Sequence, residues 1–133
     1  MNFKKTIAAI LIIYIALLVI ASILPGFGAM NKKNIEFIFD LRFDYFIHFM
    51  AYLGLYILLI IRSNANKKLG SNYKALKLFF LAVLLAVATE IAQLLMPYRT
   101  FNPLDLLANL LGILVGIIGY YSFYKKNTAR KST

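Results

Sequence analysis

Three pairs of polar residues stand at helical spacing in an otherwise apolar chain. Asp44 and His48 are four residues apart, Glu90 and Gln93 three, and Asp105 and Asn109 four. These spacings put both members of a pair on one helix face. A carboxylate beside an imidazole or an amide can move a proton or orient a hydroxyl. Glu90, His48, Asp44 and Asp105 are therefore candidates for acid–base catalysis, with Gln93 and Asn109 as binding groups. Arg99 falls between the second and third pairs, where it can contact a phosphate or carboxylate. Imidazole and carboxylates also suit a divalent metal. Their spacing matches no dedicated metal motif, so no metal is assigned and no cofactor is predicted, although a divalent ion is possible. The chain has no Cys, which excludes disulfides, thiolate metal sites and Cys nucleophiles. It offers no obvious nucleophile beyond water.

The elements that position these residues are set by hydropathy. Hydrophobic residues make up 62% of the 133 positions, and the mean hydropathy is +0.76. The apolar residues come in blocks long enough to cross a bilayer, which takes about 20 residues. The expected spans are 6–24, 45–61, 78–96 and 105–124. His48 is the one side chain in the second span that ionises near neutral pH, and Glu90 is the one formal charge in the third. Residues 1–133 are read as a single all-α membrane domain, four transmembrane helices in an antiparallel bundle. Lys4 and Lys5 before the first block are also compatible with a signal peptide. The apolar run exceeds the usual h-region, which favours an uncleaved anchor. The net charge is +10, but the charges sit in loops and tails. Membrane orientation explains that better than nucleic-acid binding, which is not expected.

Eleven basic residues mark one side: Lys4 and Lys5, then Arg62, Lys67, Lys68, Lys74 and Lys77, then Lys125, Lys126, Arg130 and Lys131. Lys32, Lys33, Arg42 and Arg99 are left for the other. The positive-inside rule puts both termini in the cytoplasm of a multi-pass plasma-membrane protein. All five acids, Glu36, Asp40, Asp44, Glu90 and Asp105, then fall in the outer half. Glu90 lies six residues before Met96, roughly 9 Å below the helix end. It is the deepest charge, and the three pairs reach a common level below the outer surface. In the outer segment from Pro25 to Phe43, the pattern fits an extended stretch or a helix equally well, at the membrane interface. The basic segment from Arg62 to Lys77 reads as an orientation signal or a platform for anionic lipid.

Asp105, Asn109, Gly112, Gly116 and Gly119 share one face of the fourth span, and Gly112-x-x-x-Gly116 permits close helix packing. Ala82, Ala86, Thr89, Glu90 and Gln93 form a matching stripe on the third. A short loop makes these spans antiparallel neighbours, and contact of the two stripes would bring Glu90 towards Asn109. The first span offers only Tyr14 and Ser22 and reads as a lipid-facing scaffold. Plain structural readings stand beside the functional ones. Asn102-Pro103-Leu104-Asp105 fits a helix start, so Asp105 can serve as part of a cap. Asp44 can act through the helix dipole. Glu90 has no such local duty, which makes it the foremost functional candidate.

Asp44-x-x-x-His48-x-x-x-Tyr52, Glu90-x-x-Gln93, Arg99, Asp105, Asn109, Gly112 and Gly116 together resemble the VanZ-like membrane proteins, the family of a teicoplanin-resistance protein. The similarity runs from Asp44 to Tyr120, and it adds Tyr52 to the binding candidates. The family commonly shows Asp-Lys at the entry to the second span, whereas Tyr45 follows Asp44 here. That removes one cation from the site. The resemblance implies a part in glycopeptide or lipoglycopeptide tolerance and supplies no reaction or ligand. Three function classes follow. One is a binding or envelope-modulating protein that takes an anionic lipid or a lipid-linked cell-wall precursor. The second is an enzyme on such a substrate. The third is a small lipid or solute transporter, which would need a homo-oligomer for its pathway.

Overall fold

The computed structural model describes residues 2–24, 37–38, 41–64, 71–97 and 101–129. Among the described residues four helices carry the fold: α1 (Phe3–Ile23), α2 (Phe43–Asn64), α3 (Ser71–Leu94) and α4 (Pro103–Ala129). Each is long and apolar enough to cross a membrane. Twenty-one helical residues rise about 32 Å, against a hydrocarbon core of about 30 Å. The expected all-helical membrane architecture is therefore the one the chain adopts. One short addition precedes α2. Strands β1 (Phe37–Ile38) and β2 (Leu41–Arg42) pair antiparallel, with Phe37 opposite Arg42 and Ile38 opposite Leu41. Of the two readings of the Pro25–Phe43 segment, these residues take the extended one; the rest of it lies outside the described residues.

The helix ends follow local chemistry. Asn2 caps α1 by accepting the Lys4 N–H at 3.2 Å. Leu24 leaves that helix in an extended conformation, as a residue before proline prefers. Asn102 caps α4 by accepting the Leu104 N–H at 3.1 Å. Pro103 takes the first helical position, where its missing N–H is no loss. The cap is thus made by Asn102, and Asp105 sits in the first turn. α3 begins at Ser71, well before the apolar block at 78, and α2 and α4 overrun their blocks as well. Hydropathy marks only the apolar stretch of each helix, while the backbone ladder continues past it.

α2 is the central helix. His48 meets Asn109, and a Cβ built on Gly112 would collide with the Phe49 carbonyl and lie 2.9 Å from the Leu53 nitrogen. One built on Gly116 would sit 2.7 Å from the Tyr56 ring. The matching order of these contacts means α2 and α4 run parallel. The glycine face was expected to meet the third span; it meets α2 instead. Loop length makes α3 and α4 neighbours without saying which helix comes closest. Gly112 and Gly116 admit the α2 backbone and a tyrosine ring, whereas Gly119 has nothing near it.

α3 runs antiparallel to both, presenting Ala82, Ala86, Thr89, Glu90 and Gln93 as a buried stripe. With Tyr52, Leu55, Tyr56 and Leu59 of α2 and Ile113 of α4, its alanines complete the core. Ile10, Ile12, Ile13, Leu17 and Ile20 of α1 are exposed, as suits side chains facing lipid. α1 is tied to α2 by Tyr14, whose hydroxyl donates to the Ala51 carbonyl at 2.8 Å. That hydroxyl passes directly over Gly54.

Candidate functional site

The site forms where α2 and α4 begin and α3 ends. Asp44 stands in the first turn of α2, with His48 one turn further on the same face. Asp105 stands in the first turn of α4, with Asn109 one turn on. The positive ends of both helix dipoles favour carboxylates at these first-turn positions. Glu90 comes from α3, whose alanines allow the close packing that buries it.

A continuous polar run joins these helices. His48 Nδ1 lies 3.0 Å from Asn109 Oδ1. Asn109 Nδ2 donates to Glu90 Oε1 at 2.9 Å. His48 Nδ1 is 3.9 Å from Glu90 Oε1, and its Nε2 is 3.9 Å from Asp44 Oδ1. Side-chain exposure falls from 38% at Asp44 through 16% at His48 to 2% at Glu90. The run therefore leads from the end of the bundle into its interior. Polar groups buried this deeply must be hydrogen-bonded to be tolerated, and Asn109 bridges the other two.

Asp105 is also buried. It accepts from Asn102 Nδ2 at 2.9 Å, and the same nitrogen reaches the Tyr45 hydroxyl at 3.4 Å. One ligand atom each from Asp44, His48 and Asp105 lie within 4.8 Å of one another. Asp44, Tyr45, Glu90 and Asp105 make further contacts besides these.

The structure thus gathers Asp44, His48, Glu90, Asp105 and Asn109 from three helices. Gln93 is buried one turn from Glu90 on the same face. Tyr52 points elsewhere. Its hydroxyl hydrogen-bonds the Thr89 hydroxyl and faces the Leu85 carbonyl at 3.4 Å, linking α2 to α3 one turn deeper. Gly112 and Gly116 set the α2–α4 distance and carry no polar group into the site. Arg99 lies outside the described residues. Asn102 and Tyr45 belong to the polar network, though the spacing of paired residues did not single them out. The signal for Asn102 was its position three residues before Asp105, read there as a cap alone. Tyr45 carried none beyond following Asp44.

Three carboxylates, an imidazole and amides can accept hydroxyls or an ammonium, pass a proton, or hold a cation. A bundle of membrane-crossing helices with ionisable groups inside one end is a polytopic membrane protein with an internal polar site, more than an anchor requires. Residues 7–124, most of the chain, match the VanZ/LLP1 family, and the chain belongs to that family. No curated protein and no solved structure matches it.

Proposed function

We propose that this protein acts at the outer face of the plasma membrane. Its polar site binds the headgroup of a lipid-linked cell-wall precursor or an anionic lipid and thereby contributes to tolerance of teicoplanin and related glycopeptides. The observation that carries this reading is the polar run from Asp44 through His48 and Asn109 to Glu90. Ionisable groups in hydrocarbon are costly and generally mark a ligand or ion path. The excess of Lys and Arg at the opposite end supports cytoplasmic termini and an outward-facing site. Family membership supports the envelope setting. In this scheme Arg99 is the anion contact, and Glu90, Asn109 and Asp105 take the hydroxyls or amide groups of the headgroup.

The test is drug susceptibility in a sensitive bacterial host producing the wild-type protein or Glu90→Gln. Wild type is expected to raise tolerance. The Gln variant is expected to return it to the empty-vector level at equal membrane abundance. Full tolerance in the Gln variant would remove Glu90 from the site, and no effect of the wild type would overturn the resistance role.

One observation favours a second, enzymatic reading: His48 Nε2 faces a carboxylate at 3.9 Å, a pairing that can activate water against a lipid-linked substrate. It predicts an altered envelope-lipid profile on overexpression, lost in His48→Gln. An unchanged profile counts against it.

A further inference from the structure

We propose that Asp44, His48 and Asp105 bind one divalent cation of the Mn2+ or Zn2+ kind at the end of the bundle where α2 and α4 begin. Their ligand atoms already lie within 4.8 Å of one another. Ligands on a common ion of this kind, with bonds of about 2.0–2.2 Å, stand no more than about 4.4 Å apart. The atoms therefore lie slightly wider than a coordination shell. Small closure suffices for the smaller ions, and Asp44, the most exposed of the three, has room to provide it.

The surroundings fix the imidazole in a ligating pose. Glu90 as carboxylate takes an N–H of the Asn109 amide, so Asn109 Oδ1 is the atom left to face His48. Nδ1 must then be the nitrogen that donates across the 3.0 Å contact. In the neutral ring Nε2 then keeps the lone pair, 3.9 Å from Asp44 Oδ1. Lone pair against carboxylate is repulsive, and a cation between them makes the same geometry attractive. Metal-bound imidazoles are generally oriented in this way, through a hydrogen bond from the other ring nitrogen. Asn102 holds Asp105 in the same fashion. A proton on Nε2 would relieve the same repulsion, and the experiment below separates the two.

The two carboxylates balance the charge of the ion, and one nitrogen with two oxygens suits transition ions. Three protein ligands leave positions for water or a phosphate oxygen. In that last use the inference rests on the headgroup reading: the ion gives an acidic cluster affinity for phosphate.

The experiment uses the full chain purified in detergent, stripped with chelator, its affinity tag removed, with no lipid precursor or drug present. Titration with Mn2+ followed by electron paramagnetic resonance is expected to show one bound ion per chain. Spin-echo spectra should carry nitrogen modulation from one imidazole, and Zn2+ should displace the signal. The chain contains a single His, so the modulation reports His48 without any variant. His48→Gln should abolish it, and Asp105→Asn should weaken binding by about tenfold or more. Asn109→Ala, a change in a positioning residue, should weaken binding about tenfold while keeping the modulation. Failure of the wild type to bind Mn2+ or Zn2+ stoichiometrically, or binding without nitrogen modulation, overturns the proposal and leaves the proton reading. Metal binding with no drug tolerance in cells supports this inference and sinks the headgroup reading; tolerance without metal binding does the reverse.

Discussion

At the end where α2 and α4 begin, Asp44, His48, Asn109 and Glu90 meet side chain to side chain; deeper in the bundle the tyrosine and threonine hydroxyls turn to the backbone or to one another. Tyr56 donates to the Ala75 carbonyl at 3.1 Å, and Tyr14 to that of Ala51. Thr89 donates to Ala86 one turn back on its own helix. The tyrosine bonds fix helices against each other, and none of the three involves a group that ionises near neutral pH. The other end commits three carboxylates and the imidazole to a shared network, bridged by amides. Tying helices together does not need that expense of charge in hydrocarbon. The contrast separates scaffold from site within one bundle.

The contrast can be broken in order of expected effect. Gly112→Ala should be the most damaging scaffold change, because the new methyl meets the α2 backbone. Overpacking of this kind costs about 1–3 kcal/mol. Gly119→Ala, with nothing near its Cβ, should leave stability unchanged. Thermal unfolding in detergent checks the pair, and equal melting temperatures would mean that the close α2–α4 approach is not required. Asn102→Ala comes next, losing a cap worth about 1 kcal/mol. It should also weaken Mn2+ binding, since the same amide holds Asp105. Tyr56→Phe is the mildest, at about 0.6 kcal/mol for one interhelical hydrogen bond, with metal binding and drug tolerance untouched. A functional loss in Tyr56→Phe would erase the distinction between the two regions.

Much of this was legible in the sequence for a simple reason. A bilayer imposes a fixed length on every helix that crosses it, so uncharged blocks announce the spans. It also makes each ionisable residue inside a span conspicuous, so Glu90 and His48 stood out, and helical spacing tied Asp44 to His48 and Asp105 to Asn109. The partner of the glycine face was not legible. Gly112 permits close approach to any helix, and only the packed bundle shows that α2 supplies it. Asn102 was hidden by its own adequacy as a cap: one oxygen caps α4, and the nitrogen that completes the network leaves no mark on spacing. Tyr52 shares the face of Asp44 and His48, yet its length carries the hydroxyl to Thr89.

The tight seam at Gly112 has a mechanical consequence. Asp44 and His48 ride on one side of that seam and Asp105 and Asn109 on the other, so these four move as a single body. Glu90 rides on α3, which meets α2 through small alanines and through the hydrogen bonds of Tyr52 and Tyr56. If α3 shifts against that body, the joint that parts at the site is the one between Asn109 and Glu90, and the tyrosine bonds deeper in the bundle resist the shift. The deep carboxylate would then behave as a latch whose release leaves Asp44, His48 and Asp105 in register.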